Sequence, residues 1–468
     1  MKLIPIYTWN KGILNFNHKS DRLSKKPWFQ GVLLLLCVAL AMLLANLPMT
    51  KELYHSILET NIRVHLFSSN GTVDVMFPRD MTIEKFINDI LMVIFFFTVG
   101  LEIKREVSHG ELSSVKKAML PVIAAFGGVI APAVIYTIVN HGTLAASGWG
   151  IPTATDIAFA VCILSMLGDK VPVSLKVFLT ALAIADDLIA ILVVALFYGG
   201  TINLELLGIA LLVIIVTILL RRIGEKKMFP YIICAFLVWA LFYYSGIHAT
   251  MSGVVMAFLI PSSPRYNKAQ YIRKRNRYIA MLDKYDGIDG ESFPNGPQKH
   301  CLRRLEKVAH GTMDMSYRVE HALSPWVNFL IMPIFALANA GVEISDASYF
   351  NVFNYSPELG SVSMGIFLGL LLGKPIGITL FSWIAIKLKI GAMPDKANWA
   401  LFFAVACLGG IGFTMSIFVD TLSFADAPAG VMMHLRDAGK IAVLLGSICS
   451  GILGTVLISL FSSKKKTA

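Results

Sequence analysis

Long apolar segments, each close to the length of a membrane-spanning helix, recur along this chain and limit what it can fold into. The run LLLLCVALAMLLA that begins at Leu33 and the run LLVIIVTILL that begins at Leu211 are typical. A helix needs about 20 mostly apolar residues to cross the hydrocarbon core of a bilayer. Apolar residues make up 56% of the chain and charged residues only 15%, so it is predicted to be an all-α polytopic membrane protein.

Twelve segments have the composition of transmembrane helices. Two of them, 151–167 and 248–260, are short and rich in small or polar residues. The predicted spans are 28–48, 83–101, 118–140, 151–167, 174–198, 203–220, 229–245, 248–260, 323–341, 361–386, 397–419 and 439–462.

The basic residues predict the orientation of these spans. Most of the 41 Lys and Arg residues fall in the tails and in alternate connections when both termini are placed in the cytoplasm, as the positive-inside rule requires. Topology therefore explains the net charge of +11, and no nucleic-acid partner is expected. The predicted organisation is a cytoplasmic tail (1–27), helices 1–8 (28–260), a basic cytoplasmic loop (261–322), helices 9–12 (323–462) and a basic cytoplasmic tail (463–468).

Two segments outside the spans carry predictions of their own. Asn70-Gly71 lies between two runs that contain apolar residues, which predicts a small external β-hairpin over about 63–77. An isolated hairpin is only marginally stable, so a second copy of the chain is one partner for it, and a loose external loop is the alternative. The basic run Arg273–Arg277 is interpreted as part of a solvated loop, with contact to anionic lipid as the alternative.

Few ionisable residues fall inside the predicted spans, where they are costly and mark function by default. Asp186 and Asp187 lie mid-span, and Lys374 lies mid-span before Pro375. Adjacent helical residues point about 100° apart, so the two acids can serve different neighbours, a lysine and a water-filled cavity. Two close carboxylates titrate as a coupled pair, and their oxygens suit a proton or a hard cation. The alternative is an ion pair that only holds helices together.

Two spans have the composition of helices that break at membrane depth. In the first, Asp156 follows Pro152 and Thr155. Three glycines crowd the middle of the second: Gly409, Gly410 and Gly412. Broken backbone is tolerated in a membrane only where it lines protein or water, although glycines also serve close helix packing.

The two interrupted spans hold matching places in two triplets of spans, about 118–198 and about 361–462. A repeat with an odd number of spans places its second copy upside down, so inverted repeats are predicted, and paired interrupted segments point to a transport site at the midplane. Opposed half-helices bring ends of opposite partial charge into the membrane. Asp156 is suited to neutralise the positive ends and Lys374 the negative ones.

Seven motifs closely resemble those of the bacterial NhaA sodium–proton antiporters and follow the same order. They are INDILMVIFFFTVGLEIKRE (87–106), TATDIAFA (153–160), FLTALAIADDLIAI (178–191), GIHATMSGV (246–254), VEHALSPW (319–326), GKPIGI (373–378) and GGIGFTMSIFV (409–419). The resemblance implies twelve helices with inverted repeats and two discontinuous helices that cross at midplane; the rule on paired interrupted segments was itself drawn partly from this family. It also implies electrogenic, pH-activated exchange of Na+ or Li+ for H+ in the bacterial cytoplasmic (inner) membrane, without a cofactor or enzymatic activity.

The same resemblance assigns roles to individual residues. It implies that Asp187 is the main carboxylate for cation and proton, and that its partner Asp186 is salt-bridged to Lys374 in one state. Thr155 and Asp156 are implied to lie at the helix crossing near the ion. The positions that match the pH-response residues of the family are Glu102, Arg105, Glu106, His248, Glu320 and His321.

The hairpin around Asn70-Gly71 resembles the external dimer contact of the family, which implies a homodimer. Three other functions fit some of the residues. A sodium-coupled carrier of an organic solute would need a further polar cluster in a larger cavity. An intramembrane aspartyl protease would need Asp156 and Asp187 to face each other from different helices, and a scaffold that works through its basic loop would not need Asp187. No GxxxxGK[ST] sequence occurs, so ions alone are expected to power transport.

Overall fold

The computed structural model describes residues 27–62, 64–68, 71–75, 81–200, 202–284, 296–344, 352–353, 355–356, 359–424 and 429–463. These residues are mostly helical and belong to two compact units. The first unit takes in the described parts of 1–92, 106–200 and 327–468, and the second takes in those of 93–105 and 201–326.

Among the described residues, nine helices are long and apolar enough to cross a membrane, or up to eleven spans if each of two bent helix pairs counts as one. This is the architecture of a polytopic membrane protein. The predicted span 248–260 corresponds to the ten-residue apolar helix Thr250–Leu259, so the count of twelve stays a prediction.

The regular elements follow one another along the chain with short connections. In order they are α1 (Pro27–Asn46), α2 (Lys51–Glu59), β1 (Val64–Ser68), β2 (Gly71–Val75), α3 (Ile83–Phe86), α4 (Met92–His109), α5 (Val115–Val139), α6 (Ile157–Met166), α7 (Val173–Phe197), α8 (Leu204–Ile223), α9 (Met228–Ser245), α10 (Thr250–Leu259), α11 (Lys268–Lys284), α12 (Gly296–Thr312), α13 (Met315–Trp326), α14 (Met332–Asn339), α15 (Val362–Leu368), α16 (Lys374–Lys387), α17 (Trp399–Leu408), α18 (Phe413–Ser423) and α19 (Ala429–Ser463). Three π-helical turns join helices: Ile87–Leu91, Val327–Ile331 and Gly369–Gly373. Three segments are 3₁₀-helical: Glu111–Ser113, Leu144–Thr153 and Gly168–Lys170.

Helix α8 illustrates how the sequence sets the ends of a span. The side chain of Asn203 accepts hydrogen bonds from the backbone N–H groups of Glu205 and Leu206, at 3.0 and 3.3 Å, and so caps the first turn. Gly224, with φ +86°, ends the helix in the left-handed conformation that glycine adopts without strain. Arg221 lies in the last turn, where a positive charge complements the negative end of the helix dipole.

The two strands pair antiparallel, with Val64 opposite Val75 and Ser68 opposite Gly71. Asn70, the first residue of the predicted turn, lies outside the described residues. The external position of this sheet and its role in a dimer stay predictions.

Helices α5 and α16 of the first unit approach each other through glycines. A Cβ atom added to Gly377 would lie 2.1 Å from the carbonyl oxygen of Gly127, and one added to Gly373 would lie 2.8 Å from Cα of Pro132. Only glycine permits such backbone contact. The segments 127–132 and 373–377 therefore pack against each other, and this contact fixes the start of α16, where Lys374 lies.

The structure differs from the sequence-based boundaries in two places. The predicted loop 261–322 contains α11 and α12, and α13 already begins at Met315. Basic amphipathic helices lack the apolar run by which a span is recognised, so hydropathy did not mark them. The first interrupted span, predicted at 151–167, starts earlier because Leu144–Thr153 is a 3₁₀-helix.

Candidate functional site

Two bent helix pairs of the first unit are joined at their breaks. The segment Leu144–Thr153 meets α6 at a bend of 42°, and α17 meets α18 at a bend of 53°. The backbone N–H of Asp156, in the first break, donates to the carbonyl oxygen of Ile411, in the second, at 2.7 Å. Backbone groups freed by the two breaks thus satisfy each other, which is the condition for irregular backbone inside a membrane.

Asp156 caps two helices with one carboxylate. Its Oδ1 accepts from the backbone N–H of Phe159 in α6 at 3.4 Å. Its Oδ2 accepts from the backbone N–H of Thr414 in α18 at 3.2 Å and also from the hydroxyl of Thr414. A carboxylate is favourable at the positive end of a helix dipole, and Asp156, only 2% exposed, serves two such ends. This contact agrees with the predicted neutralisation of the positive half-helix ends by Asp156.

Residues 409–412 form the break between α17 and α18, and small size is required there. A Cβ atom on Gly410 would lie 2.3 Å from the carbonyl oxygen of Leu370. Phe413 has φ +27°, a strained value for a residue with a side chain. The hydroxyl of Ser447 accepts from the N–H groups of Gly412 and Phe413, at 3.2 and 3.1 Å, and so stabilises the start of α18.

Lys374 is fully buried and bonded to residues on two other segments. Its Nζ donates to Oδ2 of Asp186 at 2.5 Å and to the hydroxyl of Thr155. The hydroxyl oxygen of Thr155 lies 2.6 Å from Oδ2 of Asp186 and 2.9 Å from the carbonyl oxygen of Gly409. The lysine charge is therefore compensated by a carboxylate, and the threonine connects this ion pair to the second break.

Asp187 lies beside this ion pair on α7 and is 3% exposed. It follows Asp186 directly, so its side chain leaves the helix about 100° away from that of Asp186. Lys374 interacts electrostatically with both carboxylates. One buried lysine is thus shared by two buried acids, which leaves a carboxylate in excess. We call Thr155, Asp156, Asp186, Asp187, Lys374 and Thr414 the crossing cluster.

Arg105 joins three of the six residues predicted for pH response, all in the second unit. Its guanidinium is paired with the carboxylate of Glu320 and lies 3.8 Å from that of Glu102. Glu320 is buried, whereas Arg105 and Glu102 are partly exposed. This group can change its charge and hydrogen bonding without contact to the crossing cluster.

The structure does not bring the other three residues into this group. The exposed His321 packs edge-on against the ring of Tyr317, with centroids 4.1 Å apart. His248 precedes α10, whose opposite end is bound by the ammonium group of Lys104. Glu106 belongs to the first unit. The six residues are therefore not one cluster in this structure.

Sequence reasoning missed Asp420, a fully buried acid on α18. Neither carboxylate oxygen has a hydrogen-bond partner among the described residues. The side chain packs against Gly439 of α19, because a Cβ atom there would lie 2.0 Å from Oδ1, and Arg436 and Lys440 supply opposing charge. The predicted span ended at residue 419, one position too early, so Asp420 was not weighed as an ionisable group at membrane depth.

Comparison with known proteins identifies the family. The family model described as Na+/H+ antiporter 1 matches residues 21–458. The chain is 39% identical over 459 residues to the Na(+)/H(+) antiporter NhaA of Wolinella succinogenes, covering 97% of this chain and 95% of the relative. It is 40% identical over 447 residues to the protein of the same name from Helicobacter pylori, covering 95% of each, and 41% identical over 428 residues to that of Sulfurimonas denitrificans, covering 91% of each. The chain belongs to the NhaA family of Na+/H+ antiporters.

Proposed function

We propose that this protein exchanges Na+ or Li+ for H+ across the bacterial cytoplasmic membrane. The observation that carries the proposal is the sharing of one buried lysine, Lys374, by two buried carboxylates, Asp186 and Asp187. Ionisable groups are kept at membrane depth only where they bind or move ions. Membership of the antiporter family supports the same conclusion.

Asp187 is proposed as the main site for the transported ion, with Asp186 as its partner. Alkali cations are hard ions and take oxygen ligands. The oxygens nearby are the two carboxylates, the hydroxyl of Thr155 and the carbonyl oxygen of Gly409, which lie within hydrogen-bonding distance of one another through Thr155. A proton on Asp187 removes the negative charge that holds the cation. Na+ and H+ therefore compete for the same carboxylate, and competition is the whole of the coupling.

Charge counting supports electrogenic exchange. With Na+ bound and both carboxylates ionised, the charges of Na+ and Lys374 balance those of Asp186 and Asp187. With Na+ absent and a proton on each carboxylate, only the charge of Lys374 remains. Replacement of one Na+ by two protons thus changes the net charge of the site, and more than one proton is expected to move for each Na+.

Access to the site is proposed to alternate between the two sides of the membrane by movement of the half-helices around their breaks. The inverted repeats, about 118–198 and about 361–462, would supply the two equivalent arrangements. Asp156 holds the starts of α6 and α18 together, so these half-helices are expected to move as one piece.

Activation with rising pH is proposed to involve Arg105 and the acids Glu102 and Glu320. Loss of a proton from such a group changes which ion pairs form around Arg105. Glu106, His248 and His321 are proposed as separate contributors, since they lie outside this group.

The protein is further proposed to have both termini in the cytoplasm, because that arrangement places most Lys and Arg residues inside. A two-stranded sheet has open edges that pair readily with a second copy, which supports a homodimer through β1 and β2. Arg273 and Arg277 of α11 are exposed, and contact of this run with anionic lipid is proposed on its charge. No cofactor is expected.

The geometry argues against the protease alternative. Such an enzyme needs two carboxylates that hold and activate a water molecule between them. The carboxylate of Asp156 is instead engaged by Phe159 and by both donors of Thr414, which is the role of a helix cap. No second polar cluster in the described part of the first unit favours a carrier of an organic solute over exchange of ions.

Ion exchange in everted membrane vesicles tests the proposal. Respiration acidifies the vesicle interior, and a fluorescent weak base reports collapse of the gradient when Na+, Li+ or K+ is added at several pH values. We expect Na+ and Li+ to collapse the gradient and K+ to leave it, and Asp187→Asn to abolish the response. The matched control is Asp169→Asn, an exposed acid in the turn Gly168–Lys170, which should behave as wild type. A silent wild-type protein, or an active Asp187→Asn variant, would overturn the proposal.

A further inference from the structure

A cavity of about 490 Å³ lies in the second unit, between α11, α12 and the segments that flank them. Its basic lining residues are Lys226, Arg265, Lys274, Arg304, Lys307 and Arg318, together with His310. No Asp or Glu lines the described part of this cavity. We call it the basic cavity.

The acids next to these residues in sequence are bonded elsewhere. Oδ2 of Asp314 accepts from the hydroxyl of Ser316 at 2.6 Å and from the N–H of Tyr317 at 3.2 Å. Glu225 accepts from the N–H groups of Lys226 and Lys227. In the described part of the chain, the lysines and arginines of the basic cavity form no ion pair with a carboxylate. Their mutual repulsion is therefore balanced only by solvent and dissolved ions.

Some of these side chains are held in place, which distinguishes the cavity from a freely solvated surface. Nζ of Lys274 lies 3.7 Å from the ring centroid of Tyr266, and Nζ of Lys226 donates to the carbonyl oxygen of Pro264 at 2.7 Å. Nε of Arg318 is buried and has no hydrogen-bond partner among the described residues. A buried guanidinium N–H without an acceptor is costly, and an anion in the cavity would supply that acceptor.

The donors indicate the chemistry of the ligand. Three arginines present planar groups suited to bidentate contact with phosphate oxygens, and the lysines add point charges. A concave surface of one charge sign concentrates counter-ions of the opposite sign. A cavity of this volume is within the range of small-ligand sites. We propose that the basic cavity binds a multiply charged, phosphate-bearing anion, a role separate from the proposed exchange of ions.

Such a phosphate group has two sources, a dissolved anion or the headgroup of an anionic phospholipid. The test uses the full-length purified protein, with K+ in place of Na+ so that no transported cation contributes. In one arm, pyrophosphate is titrated into the protein in detergent, and binding is followed by the thermal unfolding midpoint at constant ionic strength. In the other arm, the midpoint is compared in nanodiscs of phosphatidylcholine with and without phosphatidylglycerol.

The critical variant is Arg304→Gln with Lys307→Gln, in the cavity. Its matched control is Lys299→Gln with Arg303→Gln, which removes the same charge from the same helix outside the cavity. Saturable stabilisation by pyrophosphate or by phosphatidylglycerol, about tenfold weaker in the cavity variant and unchanged in the control, supports the proposal, and the responding arm identifies the source. Equal losses in both variants, or no saturable effect in either arm, would overturn it. Neither result depends on whether the protein exchanges Na+ for H+.

Discussion

Charge is balanced differently in the crossing cluster and in the basic cavity. In the crossing cluster, Lys374 and Asp186 are buried and directly bonded, and Asp156 is held by donors on two helices. In the basic cavity, exposed and half-buried cations face one another with no carboxylate among the described lining residues. The difference follows from solvent. Water and salt screen charges outside the membrane, whereas a charge at membrane depth needs a bonded partner.

The largest effect on stability is expected from Lys374→Met. The substitution leaves Asp186 buried without its cation, which costs about 3–5 kcal/mol. The thermal unfolding midpoint in detergent should fall accordingly. Lys387→Met, an exposed position on the same helix α16, is the control and should change little. Addition of Asp186→Asn to Lys374→Met should restore part of the loss. A midpoint unchanged by Lys374→Met would contradict the charge-compensated site.

A smaller effect is expected from Thr414→Val. It removes the hydroxyl that donates to Asp156 but keeps the backbone donor. Loss of one hydrogen bond to a buried charged group costs about 1–3 kcal/mol. Thr421→Val on the same helix removes only a bond to the carbonyl oxygen of Phe418 and should cost less. If the two variants unfold at the same temperature, Asp156 is not the cap on which α18 depends.

The sequence was most informative where a rule has no exceptions at hand. Acids and a lysine inside apolar runs had to be paired or functional, and Asp186 is bonded to Lys374. Glycines and a threonine–aspartate pair inside spans indicated breaks, and residues 154–156 and 409–412 separate the helical segments there.

Other features depend on contacts that the sequence does not encode locally. The packing of Gly127 against Gly377 joins residues far apart in the chain, and the likeness of their segments did not reveal that they touch. Asp420 was missed because the end of an apolar run is uncertain by several residues. The helices α11 and α12 were missed because their apolar residues are too few to mark a span.

The smallest effect is expected in the basic cavity without added phosphate or anionic lipid. There, Arg304→Gln with Lys307→Gln removes two like charges and should raise stability by about 0.5 kcal/mol or less. The gain should be seen at low ionic strength and should fade as salt is added. A loss of several degrees in the unfolding midpoint would indicate that these residues are bonded within the fold, and the contrast with the crossing cluster would fail.

Competition between Na+ and H+ for the buried carboxylates is the central claim, and proton release tests it most directly. Na+ is added to the purified protein in weakly buffered detergent solution, and the pH change is recorded with a dye. The account predicts that Na+ and Li+ release protons, that K+ does not, and that Asp187→Asn releases none. Binding of Na+ without proton release, or release that persists in Asp187→Asn, would contradict it.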